Sequence, residues 1–170
     1  NVTNMSFMII VGVASATTIR VSHQLGLNNF YALRMAVKAS IHLCLFINAL
    51  MAALMIGLRQ QIPWIFTNDA EVVDITAQLL VFAGLFQLSD GLQSVGAGVL
   101  RGLTDVKRPV YYAFLTYICV NIPLGYVLAF PCGMGVSGIW VAFIISLTFA
   151  AFLYHRRYWV KIRQLERQAE

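Results

Sequence analysis

The sequence predicts an all-α integral membrane protein with five transmembrane helices. Three observations carry that expectation: a composition too apolar for a water-soluble domain, five apolar runs of membrane-crossing length, and basic residues gathered at alternate ends of those runs. Of the 170 residues, 59% are hydrophobic and 11% charged, and mean hydropathy is +0.75. Water-soluble domains carry about 25% charged residues. A soluble helical domain would also need polar faces recurring every three or four residues. The run ASIHLCLFINALMAALMIGL instead has scattered polar residues and no charge.

The helices follow in order. The first, expected over residues 4–22, is the apolar run from Asn4 to Ile19, closed by Arg20. The second, 37–59, holds Ala39 to Leu58 between Lys38 and Arg59. The third, 73–101, holds Ile75 to Leu100 and is broken only by Asp90. The fourth, 109–130, contains Pro123, which removes a backbone donor and is expected to kink the helix near Cys119. The fifth, 135–155, runs from Val136 to Tyr154 with no charge. Each is close to the ~20 residues that cross ~30 Å of hydrocarbon at ~1.5 Å per residue. Residues 1–155 are thus expected to form one transmembrane bundle, and 156–170 a basic cytoplasmic tail. Between the first two helices, RVSHQLGLNNFYALRMAVK is amphipathic and expected to lie partly helical along the interface, with a turn at Gly26 and Asn28-Asn29. In QIPWIF, Trp64 and Phe66 suit headgroup level.

Charge placement orients the bundle. The first loop, the Arg101 to Pro109 loop and the tail carry Arg20, Arg34, Lys38, Arg101, Lys107, Arg108, Arg156, Arg157, Lys161, Arg163 and Arg167. The opposite connections carry Arg59 alone, which accounts for all 12 basic residues. The basic set is therefore expected in the cytoplasm, with the C-terminus. The net charge of +5 is read as topological, and no nucleic-acid partner is expected, because the basic residues sit at membrane ends. On this orientation the first helix starts outside almost at residue 1, which suggests the C-terminal portion of a longer protein.

Asp90 is the residue that calls for a function. An ionised Asp at a helix centre costs about +2.5 to +3.5 kcal/mol, and apolar neighbours at about −0.3 to −0.6 each outweigh it. The helix can insert, but the aspartate needs a cavity or a partner. Gln87, Asp90, Ser94 and Gly98 recur at three and four residues, forming one polar, small-residue stripe widened by Gly91. Such a stripe lines either a helix–helix seam or a water-filled path. The glycines of SVGAGVLRG read as packing. For Asp90 a Gln or Ser would bind helices at less cost, so the preferred reading is a reversible proton or cation site, neutral when dry and ionised when wet or paired with Na⁺. Tyr117 and Asn121 lie four apart near Pro123, a spacing that suits either a shared cavity or packing within the bundle. His42 reads as a satisfied core or interface histidine, and Cys44, Cys119 and Cys132 have no metal-ligand spacing.

SDGLQSVGAGVLRGLTDVKRP resembles the signature of the multidrug and toxic compound extrusion (MATE) family: an acidic residue, a Gln three positions on (here Gln93), a Gly-rich run to Leu-Arg-Gly, and a basic loop with Pro. FMIIVGVASATTIRVSHQLG is similar to the family's eighth helix and the loop after it, and YICVNIPLGYVLAF with GMGVSGIW to its last two helices and their glycine-rich turn. The resemblance spans residues 4–158. It implies twelve helices in two six-helix lobes around a central cavity, this chain being helices eight to twelve. The N-terminal lobe of the same protein, and the seventh helix with its frequent glutamate, would then be missing partners. Asp90 falls where NorM-like members place a C-lobe acidic residue implicated in Na⁺ or H⁺ coupling, and Phe7 and Phe86 stand where relatives often carry Tyr.

The function expected is that of a secondary antiporter exporting small organic cations and drugs in exchange for Na⁺ or H⁺, in a bacterial cytoplasmic membrane. The coupling ion would bind at Asp90, with Phe7, Phe86, Gln87, Gln93, Ser94, Tyr117 and Asn121 as candidate cavity-lining residues. No cofactor is expected. A lipid-linked oligosaccharide flippase of the same superfamily is the alternative, disfavoured because no basic residue lies mid-membrane; a structural membrane subunit is another. An intramembrane enzyme would need a second catalytic group near Asp90, and the sequence offers none.

Overall fold

The computed structural model describes residues 2–169, with side chains over residues 4–168. Its elements are α1 (Val2–Gly26), α2 (Phe30–Gly57), a 3₁₀ turn (Pro63–Ile65), α3 (Ala70–Gly102), α4 (Lys107–Phe114), a π-helical segment (Leu115–Asn121), α5 (Ile122–Ala129) and α6 (Gly135–Ala169). Among the described residues there is no strand. α4, the π segment and α5 run on without a break as one span, so the described residues hold five helices long and apolar enough to cross a membrane.

The helices overrun the limits expected from charge. α1 continues past Arg20 to Gly26, and α2 begins at Phe30, before Arg34 and Lys38. The stretch expected along the interface is instead the end of one helix and the start of the next. A charged side chain can leave the bilayer without ending the helix that carries it; a cap ends it. Here Asn28 takes a left-handed φ of 52°, and the side chain of Asn29 accepts a hydrogen bond from the Ala32 N–H at 3.0 Å. The basic tail is helical as well, since α6 runs unbroken to Ala169. It is held by Arg157 to Asp105 in the α3–α4 turn, at 2.6 Å, and by Glu166 to Arg34 of α2.

α3 is central, packing against α1, α2 and α6. Small residues allow this. A Cβ on Gly98 would come within 2.6 Å of the Ala14 carbonyl oxygen of α1, and one on Gly102 within 2.8 Å of that of Thr18. The Thr18 hydroxyl spans the seam, within donating distance of its own helix at Ala14 O (3.0 Å) and of Gly98 O across it (2.9 Å). On α2 the buried positions Leu33, Val37, Ser40, Cys44, Asn48, Ala52 and Met55 form one stripe at three- and four-residue spacing. α5 and α6 form a tight hairpin through Gly133 and Gly135, both at positive φ. Exposed Ile19, Phe46 and Phe152 leave an apolar exterior suited to lipid.

Pro123, where a kink is expected, lies at a change of helical register. It is the second residue of α5, one residue past the π-helical segment Leu115–Asn121. A proline cannot donate to the carbonyl four residues back, and its ring crowds that carbonyl. A locally widened i→i+5 register accommodates both faults, and π segments occur as such single turns.

Candidate ion site

Asp90 lies within α3, away from both ends, and is half-buried. The ion pairs among the described residues join Arg34 to Glu166 and Arg157 to Asp105, so neither neutralises it. Cys44 of α2 packs beside Gly91, the next residue on α3.

The stripe expected around it divides. Gln87, Gly91 and Gly98 are buried on the packed side of α3, Gly98 against α1 and Gly91 against α2. Asp90 and Ser94 stay half-buried at its edge. Gln93, 8% exposed, accepts a hydrogen bond from the Tyr117 hydroxyl at 3.4 Å, which ties α3 to the π segment within one turn of Asp90. Phe86 turns toward α6, edge-on to Trp140 and Phe143 at 5.5 and 6.1 Å between ring centres. Phe7 is exposed on α1, and Asn121 is half-buried at the end of the π segment. Tyr117 and Gln93 are thus brought into Asp90's neighbourhood, whereas Phe86 is engaged with another helix. His42 is exposed, its Nδ1 2.7 Å from the Lys38 carbonyl one turn earlier.

Asn48 was not legible as part of this site. It is fully buried on α2, its amide filling the space that a Cβ on Gly91 would take. Its Nδ2 donates to Cys44 Sγ at 3.2 Å, while Oδ1 is buried without a partner. Both side-chain polar atoms of Gln87 are likewise buried and unpaired. The only sequence signal was an Asn in the middle of an uncharged span, where amides more often serve packing. On the far side of α3, Val37, Ile41, Leu92, Gly96 and Phe152 help to line an apolar groove of about 350 Å³ between α2 and α6. It contains no carboxylate and is distinct from the surroundings of Asp90.

The MatE family profile matches residues 1–127. A protein named as a probable multidrug resistance protein NorM, from Xanthomonas campestris pv. campestris, is 38% identical over 165 residues, covering 97% of this chain and 36% of that protein. Multidrug resistance protein MdtK of Photorhabdus laumondii subsp. laumondii is 36% identical over 161 residues, covering 92% of this chain and 35% of that one. The chain spans about a third of the length of these relatives. The crystal structure of the eukaryotic MATE transporter AtDTX14 superposes with a TM-score of 0.85 at 22% identity, over 99% of this chain and 39% of that one. A crystallised point mutant of a MATE protein gives 0.88 at 17% identity, over 98% and 37%. These two likenesses concern the fold.

Proposed function

The chain belongs to the MatE family, and from that membership we propose that it forms five helices of the C-terminal lobe of a secondary antiporter. In this reading the whole protein exports small organic cations and drugs from a bacterial cell across its cytoplasmic membrane, in exchange for Na⁺ or H⁺ that binds at Asp90. The supporting observation is the placement of Asp90: a carboxyl within a membrane-length helix, half-buried, with no basic partner among the described residues. A side chain that is costly in lipid and neutralised by nothing around it suits a group that acquires its partner from solution.

An ion can drive the cycle only if it binds differently in two conformations. Asp90 is suited to that because it stands at the edge of the packed side of α3. The seam to α1 through Gly98 is close-fitting, whereas the side toward Tyr117 is joined by a single long hydrogen bond and faces a π segment. Loading and release at Asp90 would then bias the contact between α3 and the Pro123-containing span. Gln93 acts here as a positioning residue, holding the Tyr117 hydroxyl.

The test is efflux of a fluorescent organic cation from proteoliposomes holding the full-length protein, under an imposed Na⁺ or H⁺ gradient. Asp90→Asn keeps the size and removes the charge, and is expected to abolish gradient-driven efflux while membrane insertion is unharmed. Gln93→Ala is expected to reduce it less. Wild-type efflux from Asp90→Asn, normalised to protein, sinks the proposal.

A further inference from the structure

The apolar groove between α2 and α6 has a use that the ion site does not account for. Val37 and Ile41 of α2 line one side of it, Phe152 and His155 of α6 the other, and Leu92 and Gly96 of α3 its base. It opens outward, since Phe152 is 61% exposed and His155 is exposed as well. Its lining on α6 runs from Thr148 to Tyr158. Those ten residues rise ~15 Å at ~1.5 Å each, about half of a ~30 Å hydrocarbon core. The groove is therefore as deep as one leaflet.

Its basic end differs from its depth. Lys38 lies between Val37 and Ile41 on α2 and is exposed. The ion pairs among the described residues are Arg34 with Glu166 and Arg157 with Asp105, so the Lys38 ammonium has no acidic partner there. On the other side, His155 Nε2 accepts from Trp159 Nε1 at 2.9 Å. That bond puts the ring proton on Nδ1 and leaves this N–H as a donor without a partner among the described residues. Arg34, one turn before Val37, pairs with Glu166, two turns beyond Tyr158, and so pins α2 to α6 on the same side. That pairing also occupies the acidic group nearest in sequence to the groove on α6.

We propose that the groove between α2 and α6 holds an anionic phospholipid, its phosphate between Lys38 and His155 and one acyl chain laid along Phe152 toward Thr148. Charge complementarity selects this occupant: an unpaired ammonium and a free N–H suit a phosphate, and the apolar depth suits a chain. Lys38 would repel an organic cation, so the groove is no entry for one. Basic pockets between spans on the cytoplasmic side are where anionic headgroups bind, and the positive-inside orientation puts this end there. The inference does not depend on the reading of Asp90, and its test needs no ion gradient.

The experiment uses the cysteine-free full-length protein with Leu45→Cys, exposed and one turn beyond Ile41 on α2. This cysteine is labelled with bimane and the protein reconstituted in phosphatidylcholine vesicles. Quenching is titrated with phosphatidylglycerol, or with further phosphatidylcholine, brominated mid-chain. Brominated phosphatidylglycerol is expected to reach half-quenching at about one-fifth the mole fraction, the factor that one surface cation supplies. Lys38→Gln with His155→Gln should abolish that preference. Arg20→Gln, on α1 and outside the groove, should leave it intact. Ala151→Phe fills the groove but keeps both donors, and should abolish it too. If that variant fails to fold, the Lys38 and His155 pair alone decides. Equal quenching by the two lipids overturns the proposal, as does a preference that survives Lys38→Gln with His155→Gln. A preference that survives Ala151→Phe reduces the effect to surface charge and overturns it as well. A label quenched by neither lipid means that another segment of the longer chain covers the groove, which also overturns it.

Discussion

Arg157 of α6 donates from Nε to Oδ2 of Asp105 at 2.6 Å, fastening the helical tail to the turn after α3. The two side chains are only 15% and 9% exposed, whereas Arg34 and Glu166, which pair nearby, are 42% and 27% exposed. The difference in burial decides what each pair is worth. Removing one member of a largely buried pair strands the other charge, so Asp105→Ala should destabilise the lobe by about 3 kcal/mol. Replacing both, as Asp105→Ala with Arg157→Met, should recover much of that. Glu166→Gln should cost less than about 1 kcal/mol, because water and salt already screen that pair. Unfolding midpoints of the purified full-length protein measure all three, and equal losses at Asp105 and Glu166 would contradict the account.

The seam between α1 and α3 predicts a graded response to size. Gly98→Ala places a Cβ against the Ala14 carbonyl, a backbone atom that cannot swing aside. The helices must separate, at about 1–3 kcal/mol, and Thr18 loses its reach to Gly98. Gly12→Ala on α1 meets nothing within 4 Å and should be neutral or slightly stabilising. Thermal stability of the two variants, side by side, checks the contrast.

If Pro123 causes the π register, its replacement should remove it. Pro123→Ala restores a backbone donor and is expected to let residues 115–121 wind as α-helix. That rewinding turns Tyr117 away from Gln93. Hydrogen exchange should slow across the segment, and the signal is absent if the π turn is held by packing instead.

The charge bias makes a prediction about orientation. In a cysteine-free full-length protein, single cysteines at Lys107 and Gly135 should react from opposite sides of intact cells, with Gly135 accessible from outside. Labelling of both by an impermeant reagent from one side would overturn the positive-inside reading.

What the sequence by itself determined is what depends on local hydrophobicity. The five spans were legible because crossing hydrocarbon demands a long apolar run, and such runs identify themselves without reference to neighbours. Asp90 was legible for the same reason, as an exception within one of them. The extents of α1, α2 and α6 were not, because a charged residue marks where a helix leaves lipid, while its cap and its partners mark where it ends. Nor was the π turn, since Pro123 announces a fault in the helix but not which repair the surrounding helices permit. Tertiary structure alone decided who surrounds the aspartate. In lipid every apolar face is equally at home, so hydrophobicity cannot say which face meets which, and close fit between small residues chooses instead. That fit set Gly98 against Ala14 and brought Asn48 of α2 onto Gly91, the residue after Asp90, although 42 positions separate Asn48 from Asp90 in the chain.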